Sequence, residues 1–466
     1  GWRPVPGYTE TGGQGHPSGL CRSAPGNVEG LSTVAERAES SRIPISDRVI
    51  GTVFLVAAAT SVIAGRSTVI ALAVFTLAAL AFAYVERNSF QAFLRPAPAS
   101  IPVIIFLGFA ALSAAWSADA GATLAQLLTI LLIFLQWHVV HQWLAMQPGR
   151  RIRHLAYWFV FAVLIGLAVL LHEVYAEQYI RRWLVDTFGI LVPPTPGKHY
   201  WVDNAGKIRI LSFETNRSIA VLNMYVWPAV LCALSFWSGR KYALIAAALV
   251  GGTLLATLGS DHETSKLAAV GALVCFLLAS FLLRVAFVLV VSAWVVLGLA
   301  VVPAVRVLHD GFALHQAEWL QFSAQRRIEI WDHMADRALE APVLGVGVRS
   351  AHVLSTRSPG EAPDSASKDD EAAAQHAHNV YLQNWYELGG VGVLLFLGAG
   401  LVVLNAIRTV SERAQPYALA TFTAFMVEIA SSWEIWQRWF AALFALTLIH
   451  LFLAIRSAEA EPEPET

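Results

Sequence analysis

Charge is scarce in this chain. Asp, Glu, Lys and Arg make up 14% of 466 residues, against 56% hydrophobic. That balance excludes an ordinary soluble domain and fits a polytopic membrane protein. The net charge of −1 leaves no basic excess for a nucleic-acid partner. Cysteine is nearly missing: Cys21, Cys232 and Cys275 are the three present, two of them inside apolar runs. None has metal-ligand spacing, so neither a disulfide framework nor a zinc site is expected. Few ionisable residues fall inside the apolar runs, and the first six runs have no convincing repeat in the last six. Both absences count against an ion-coupled transporter. Residues 1–46 lack periodicity and are rich in Gly, Pro, Ser and Glu, so a disordered tail is expected. They also lack an early apolar core with a cleavage site, so no secretory signal is expected there.

What is present is apolar length. Runs recur at 47–65, 67–85, 99–116, 121–143, 154–173, 215–237, 241–258, 265–283, 285–303, 388–408, 415–432 and 436–456. Each approaches the roughly 20 residues that cross a bilayer. The expectation is an all-α polytopic membrane protein of about twelve transmembrane helices. Lys and Arg set its orientation. The even-numbered connections hold ten, from Arg87 to Arg413, and the short odd ones hold three: Arg66, Lys266 and Arg438. The positive-inside rule then places both termini, including tail 457–466, in the cytoplasm. Two odd connections are long and face outward: 174–214, and 304–387 between the ninth and tenth runs. Long external loops on a compact bundle tend to carry function. No ATP is available on that side, so chemistry there needs an activated or lipid-linked substrate.

The richest polar stretch is 376–392, which runs straight into an apolar segment. As a helix it puts Asn379, Gln383 and Tyr386 on one face, and His378, Leu382 and Trp385 on the next. Gly389 and Gly390 offer a break before the apolar run. His378 could take a proton from a hydroxyl, since imidazole titrates near ambient pH; the plainer alternative is a cap on an interfacial helix. The amphipathic pattern of 322–340 predicts a second helix, with Arg326, Glu329, His333, Asp336, Arg337 and Glu340 on its polar face. Arg326 sits among acids and suits a solvated ion pair. Arg327 lies on the apolar side with Trp331, where a phosphate or diphosphate would satisfy its planar fork. Stacking on Trp331 or pairing with a buried carboxylate would satisfy it too. Asn216 and Arg217 open the sixth run, where Arg217 is either a snorkelling residue or a second cation. The polar turn 259–266 could bind sugar hydroxyls or cap the following helix through Ser260 or Thr264; the cap is expected at Thr264, with Lys266 left open. His138, His141, His172 and Glu173 are expected to be interfacial. The acids of 357–375 form no recognisable metal loop.

These residues resemble a known family. Asn216-Arg217 with Trp227-Pro228, Ser260 to Leu267, Arg327 with Trp331 and Pro342, and His376-Ala377-His378-Asn379 with Leu382-Gln383 and Glu387-Leu388-Gly389 look like the O-antigen ligase family. Ser113 to Asp119 resembles its short first-half motif, and Ala377 stands where the family usually has proline. The resemblance implies a glycosyltransferase of the bacterial inner membrane working at the periplasmic face, without metal, nucleotide or other cofactor. It would move a glycan from undecaprenyl diphosphate to the lipid A–core oligosaccharide. His378 would be the general base, and Arg217 and Arg327 would hold the diphosphate. Asn379 and Gln383 would orient the base or acceptor, with Asn216, Trp331, Lys266 and Glu387 as further substrate contacts. An O-antigen polymerase or a protein O-oligosaccharyltransferase is the alternative, sharing the same donor; a transporter or flippase is the remaining one.

Overall fold

In lipid, a backbone must satisfy its own N–H and C=O groups, and an isolated apolar run can do so only as a helix. The computed structural model describes residues 45–87, 90–97, 100–189, 199–350 and 377–460. His376 and the stretch 357–375 lie outside them. The chain divides into two units, Gly1–Ile45 and Ser46–Thr466, and the architecture below is that of the second.

Among the described residues the main helices are α1 (Ile45–Ile63), α2 (Thr68–Val85), α3 (Ser100–Leu112), α4 (Ala120–Met146), α5 (Gly149–Tyr175), α6 (Tyr179–Phe188), α7 (Asn216–Ala233), α8 (Gly239–Leu258), α9 (Glu263–Arg306), α10 (Phe322–Glu340), α11 (Val380–Thr409), α12 (Gln415–Ser431) and α13 (Arg438–Glu459). Seven of these, α2, α4, α5, α8, α9, α11 and α13, are long and apolar enough to cross a membrane. The 13-residue α3, with α1, α7 and α12, covers four further apolar runs. Many large apolar side chains on the long helices stay exposed, among them Leu77, Leu131, Val274, Leu277 and Val288. A soluble protein would bury such a surface. One local departure from the all-α expectation lies in the 174–214 connection. There β1 (Tyr200–Val202) pairs antiparallel with β2 (Ile208–Ile210). The turn forms because Asp203 Oδ1 accepts from Ala205 N and Lys207 N, both at 2.9 Å, and Gly206 supplies a positive φ.

The eighth and ninth runs are one element, α9, with a non-helical residue at Leu282. An unbroken helix of that length would extend about 66 Å. Yet both of its ends reach α10, which spans only about 28 Å. Glu263 Oε1 accepts from Gln321 Nε2 at 3.1 Å, and Arg306 pairs with Asp336. The element therefore folds back at Leu282, beside the exposed Arg284.

The helix ends gather into two groups. At one end Arg151 of α5 bridges Asp47 of α1, at 2.7 Å, and Glu86 after α2. Arg456 of α13 donates there to Ala145 O and Gln147 O. At the other end Gly65 N donates to Ser218 Oγ at 3.2 Å, Thr68 Oγ1 to Trp439 O at 2.8 Å, and Thr264 Oγ1 to Ser431 O at 3.0 Å. Thr264 is thus inside α9, tying it to α12, and does not cap it as the sequence suggested; the N-cap position is His262. Helix α7 runs through the centre, buried from Ser218 to Ala233 and packed by α5, α8, α12 and α13.

Gly389 breaks α11 at the foreseen place, with φ +61° and ψ −167°. The loop after α10 plugs the break. Gly390 N donates to Pro342 O at 2.8 Å, Val346 N to Tyr386 O at 3.0 Å and Gly347 N to Glu387 O at 2.8 Å. The backbones come so close that a Cβ on Gly389 would stand 2.4 Å from Val343 C, and one on Gly345 as near to Glu387 C. The Gly345–Gly347 pair is therefore a docking turn.

Candidate functional site

The site is built where α12 ends. Ser431 and Ser432 sit at that terminus, and three separate elements bring side chains to them. Arg327 on α10 donates from Nη1 to Ser431 O at 2.7 Å and to Ser431 Oγ at 3.2 Å. His378, just before α11, donates from Nδ1 to Ser432 O at 2.7 Å. A carbonyl can only accept, so Nδ1 carries the proton and neutral imidazole keeps its lone pair on Nε2. His262, between α8 and α9, reaches the same turn through Ser265 and Glu428, described below.

His378 is held on both sides. Trp331 Nε1 donates to Ala377 O at 2.6 Å, and Asn379 is the N-cap of α11, its Oδ1 accepting from Leu382 N at 3.1 Å. Between these fixed points His378 takes a φ of +48°, a region that costs a β-carbon-bearing residue roughly 1–3 kcal/mol. Strain of this kind clusters at functional positions. The helix cap suggested for His378 therefore belongs to its neighbour Asn379.

Arg217 lies in the first turn of α7, its guanidinium 5.6 Å from the Trp439 ring centroid. Its Nε and the Oδ1 of Asn216 have no hydrogen-bond partner among the described residues. A buried donor such as Arg217 Nε and a buried acceptor such as Asn216 Oδ1 are costly unless a partner meets each of them. His262 faces both arginines. Burial, and then the charges of Arg327 and Arg217, push its imidazole down to about 3, so it is neutral at ambient pH. Arg327 is also pushed below its ordinary value by burial, yet a guanidinium stays cationic.

A hydrogen-bond chain joins the two histidines. Ser265 Oγ donates to Glu428 Oε1 at 2.5 Å, and Ser432 Oγ donates to Glu428 Oε2 at 2.9 Å. With the single Ser265 proton used, His262 Nδ1 donates to Ser265 Oγ at 2.5 Å. Glu428 is fully buried, and both its oxygens are occupied.

The other expected residues divide into two groups. Gln383 and Glu387 are buried and brace the wall behind the site. Glu387 accepts from Arg349 N at 3.0 Å, Trp436 Nε1 at 2.5 Å and Gln383 Nε2 at 3.3 Å, while Gln383 Oε1 accepts from Ile435 N at 3.3 Å. Lys266 pairs with Glu263 at 2.8 Å, and Arg326 pairs with Glu329 at 2.7 Å.

Beside Trp439 opens a cleft of about 440 Å³, lined by Arg66, Arg349, Arg438, Glu434, Trp436 and Trp439. In the sequence Arg66 and Arg438 serve only as orientation markers, because residues 372 positions apart carry no local sign of meeting. His262, Glu428, Ser431 and Ser432 were missed as site residues too. Glu428 had one signal: a carboxylate within an apolar run is functional by default.

Known proteins resemble part of this chain. The family described as O-antigen ligase matches residues 245–397, a segment containing His262, Arg327 and His378. A Rickettsia conorii protein bearing the name "Putative polysaccharide ligase" is 25% identical over 244 residues, 52% of this chain and 58% of its own. Proteins of the same name from Rickettsia felis and Rickettsia typhi are 27% and 26% identical, over 52% of this chain and 59% of theirs. The match thus spans under three fifths of those relatives.

Proposed function

We propose, on the premise that this chain belongs to the O-antigen ligase family, that it transfers a glycan from undecaprenyl diphosphate to the lipid A–core oligosaccharide. The reaction takes place at the periplasmic face of the bacterial inner membrane. About twelve helices cross that membrane, both termini are cytoplasmic, and the 304–387 connection lies outside. The observation that carries the reading is the pinning of Arg327 and His378 to consecutive residues, Ser431 and Ser432, with Arg217 and Arg327 both acting on His262.

The chemistry follows from the side chains. Arg217 and Arg327 bind the donor diphosphate, the charge of which grows as the anomeric C–O bond breaks. An acceptor hydroxyl oxygen attacks the anomeric carbon, its proton passes to His378 Nε2, and the bond electrons leave on the diphosphate. Ser432 O holds His378 in the tautomer that this step needs. Asn379 fixes the histidine by capping its helix, Trp331 anchors the peptide before it, and Gln383 and Glu387 support the wall. Asn216, next to Arg217, and Lys266 contact the sugar-phosphate head of the donor.

The test is transfer by purified protein supplied with undecaprenyl-diphosphate glycan and offered lipid A–core, a second donor molecule or a peptide. Transfer to lipid A–core that disappears in folded His378→Ala and Arg327→Ala variants supports the ligase and this site. Growth on the donor, or a glycosylated peptide, replaces the ligase with a polymerase or a protein-glycosylating enzyme. Full activity in His378→Ala removes the histidine from the mechanism.

A further inference from the structure

Beyond the transfer site, one cluster of ligand-type side chains joins the end of α9 to α10. His309 and Asp310 lie in the π-helical turn Val307–Gly311 that continues α9, and Asp332 projects from α10. His309 Nδ1 is 2.8 Å from Asp310 Oδ1 and 3.5 Å from Asp332 Oδ2. Ligand atoms of all three lie within 4.8 Å of one another.

The hydrogen bonding within this group is incomplete. A ring nitrogen holds at most one proton, and it faces two carboxylates. At 2.8 Å that proton satisfies Asp310, whereas 3.5 Å is too long for a useful bond to Asp332. Asp332 Oδ1 has no partner among the described residues although it is shut off from solvent. Asp310 is largely exposed and solvated, but the Asp332 side chain is only 19% exposed, so its negative charge is poorly compensated where it stands. A divalent cation in place of the proton would satisfy the imidazole and both acids at once.

We propose that His309, Asp310 and Asp332 bind a divalent transition-metal ion of the zinc class, fastening the end of α9 to α10. One imidazole and two carboxylates are a donor set that zinc accepts. Bonds near 2.0–2.1 Å put neighbouring donors of a tetrahedral site about 3.3–3.5 Å apart. The His309–Asp332 separation of 3.5 Å already has that value. His315 stacks on His309, with ring centroids 3.9 Å apart and planes 16° apart, and limits rotation of the ligand ring. Its own Nδ1 is unpartnered among the described residues and can bond a water in the fourth position. The ion acts on structure: α10 carries Arg327 and Trp331, so clamping one end of it steadies the guanidinium and the peptide before His378. This metal site does not depend on the transfer reaction proposed above, and metal uptake tests it separately.

The experiment is zinc binding to tag-free full-length protein in detergent, stripped with chelator and followed by calorimetry and elemental analysis. Wild type is expected to take up one zinc per chain and to gain thermal stability on loading. His309→Ala and Asp332→Asn should lose both effects. Asp332→Asn keeps the side-chain shape, so its helix content by circular dichroism should match wild type. Cobalt loading should give the visible bands of a tetrahedral nitrogen–oxygen site in wild type alone. No uptake by wild type, or uptake equal in both variants, overturns the proposal.

Discussion

The guanidinium of Arg327 and the imidazole of His378 are held by consecutive backbone carbonyls, those of Ser431 and Ser432, at 2.7 Å each. A helix that ends leaves its last carbonyls without intrahelical partners. Here two chemically able side chains from elsewhere in the chain take them up. The terminus of α12 thus sets the spacing of a guanidinium and an imidazole that lie 51 positions apart in sequence.

Removing the base tests that geometry. His378→Ala should lower turnover by roughly 10²–10⁴-fold, the usual contribution of a positioned acid or base. Thermal stability should fall only modestly, by about 1 kcal/mol, because truncation removes the Nδ1 bond to Ser432 O while alanine, which keeps its β-carbon, leaves the left-handed strain in place. Steady-state transfer rates beside a melting curve check both parts.

For Arg327 the informative comparison is with lysine. Arg327→Lys keeps the charge but loses the planar fork, one part of which is spent on Ser431. A drop of about 10²–10³-fold is expected, near that of Arg327→Ala, with kcat falling more than KM rises. Recovery to wild-type rate in the lysine variant would mean that charge alone is needed.

His262 gives a prediction about pH. Its imidazole lies at about 3 in the folded protein, against 6.5 when unfolded. The unfolded chain therefore binds the extra proton between these values, and stability falls with pH in that window. The groups around it are Arg217, Arg327 and, through Ser265, Glu428. Melting temperature should decline as pH drops below about 6.5, and less steeply in His262→Gln.

Glu387 separates a brace from a substrate contact. Glu387→Ala leaves the Trp436 and Gln383 side-chain donors and Arg349 N without their acceptor, at about 1–3 kcal/mol for each buried group. A large fall in melting temperature is expected, with KM of the folded fraction unchanged. A raised KM at constant stability would instead make Glu387 a substrate contact.

Gly389→Ala should destabilise the chain by more than ~1–3 kcal/mol, since a positive φ and a backbone contact oppose the new methyl together. At Gly398, on the same helix, an added methyl would meet nothing within 4 Å, so alanine there should change stability little. Paired melting curves decide it.

Helix identity was legible because it is local. Apolar length fixes where a backbone in lipid becomes helical, the pattern of 322–340 gave α10 its bounds, and Gly389 marked the break in α11 by conformational freedom. The β-hairpin at 200–210 escaped because its strands have three residues each, too few to show a period. His378 and Arg327 stood out because each is a polar group in a setting that does not favour it. What only the tertiary structure decided is the company they keep. Residues as distant as Arg66 and Arg438 come to line one cleft, and Glu428 joins His262 to the His378 turn. Proximity across a helix bundle depends on which faces pack and where helices end. Composition and periodicity within one run carry no record of that.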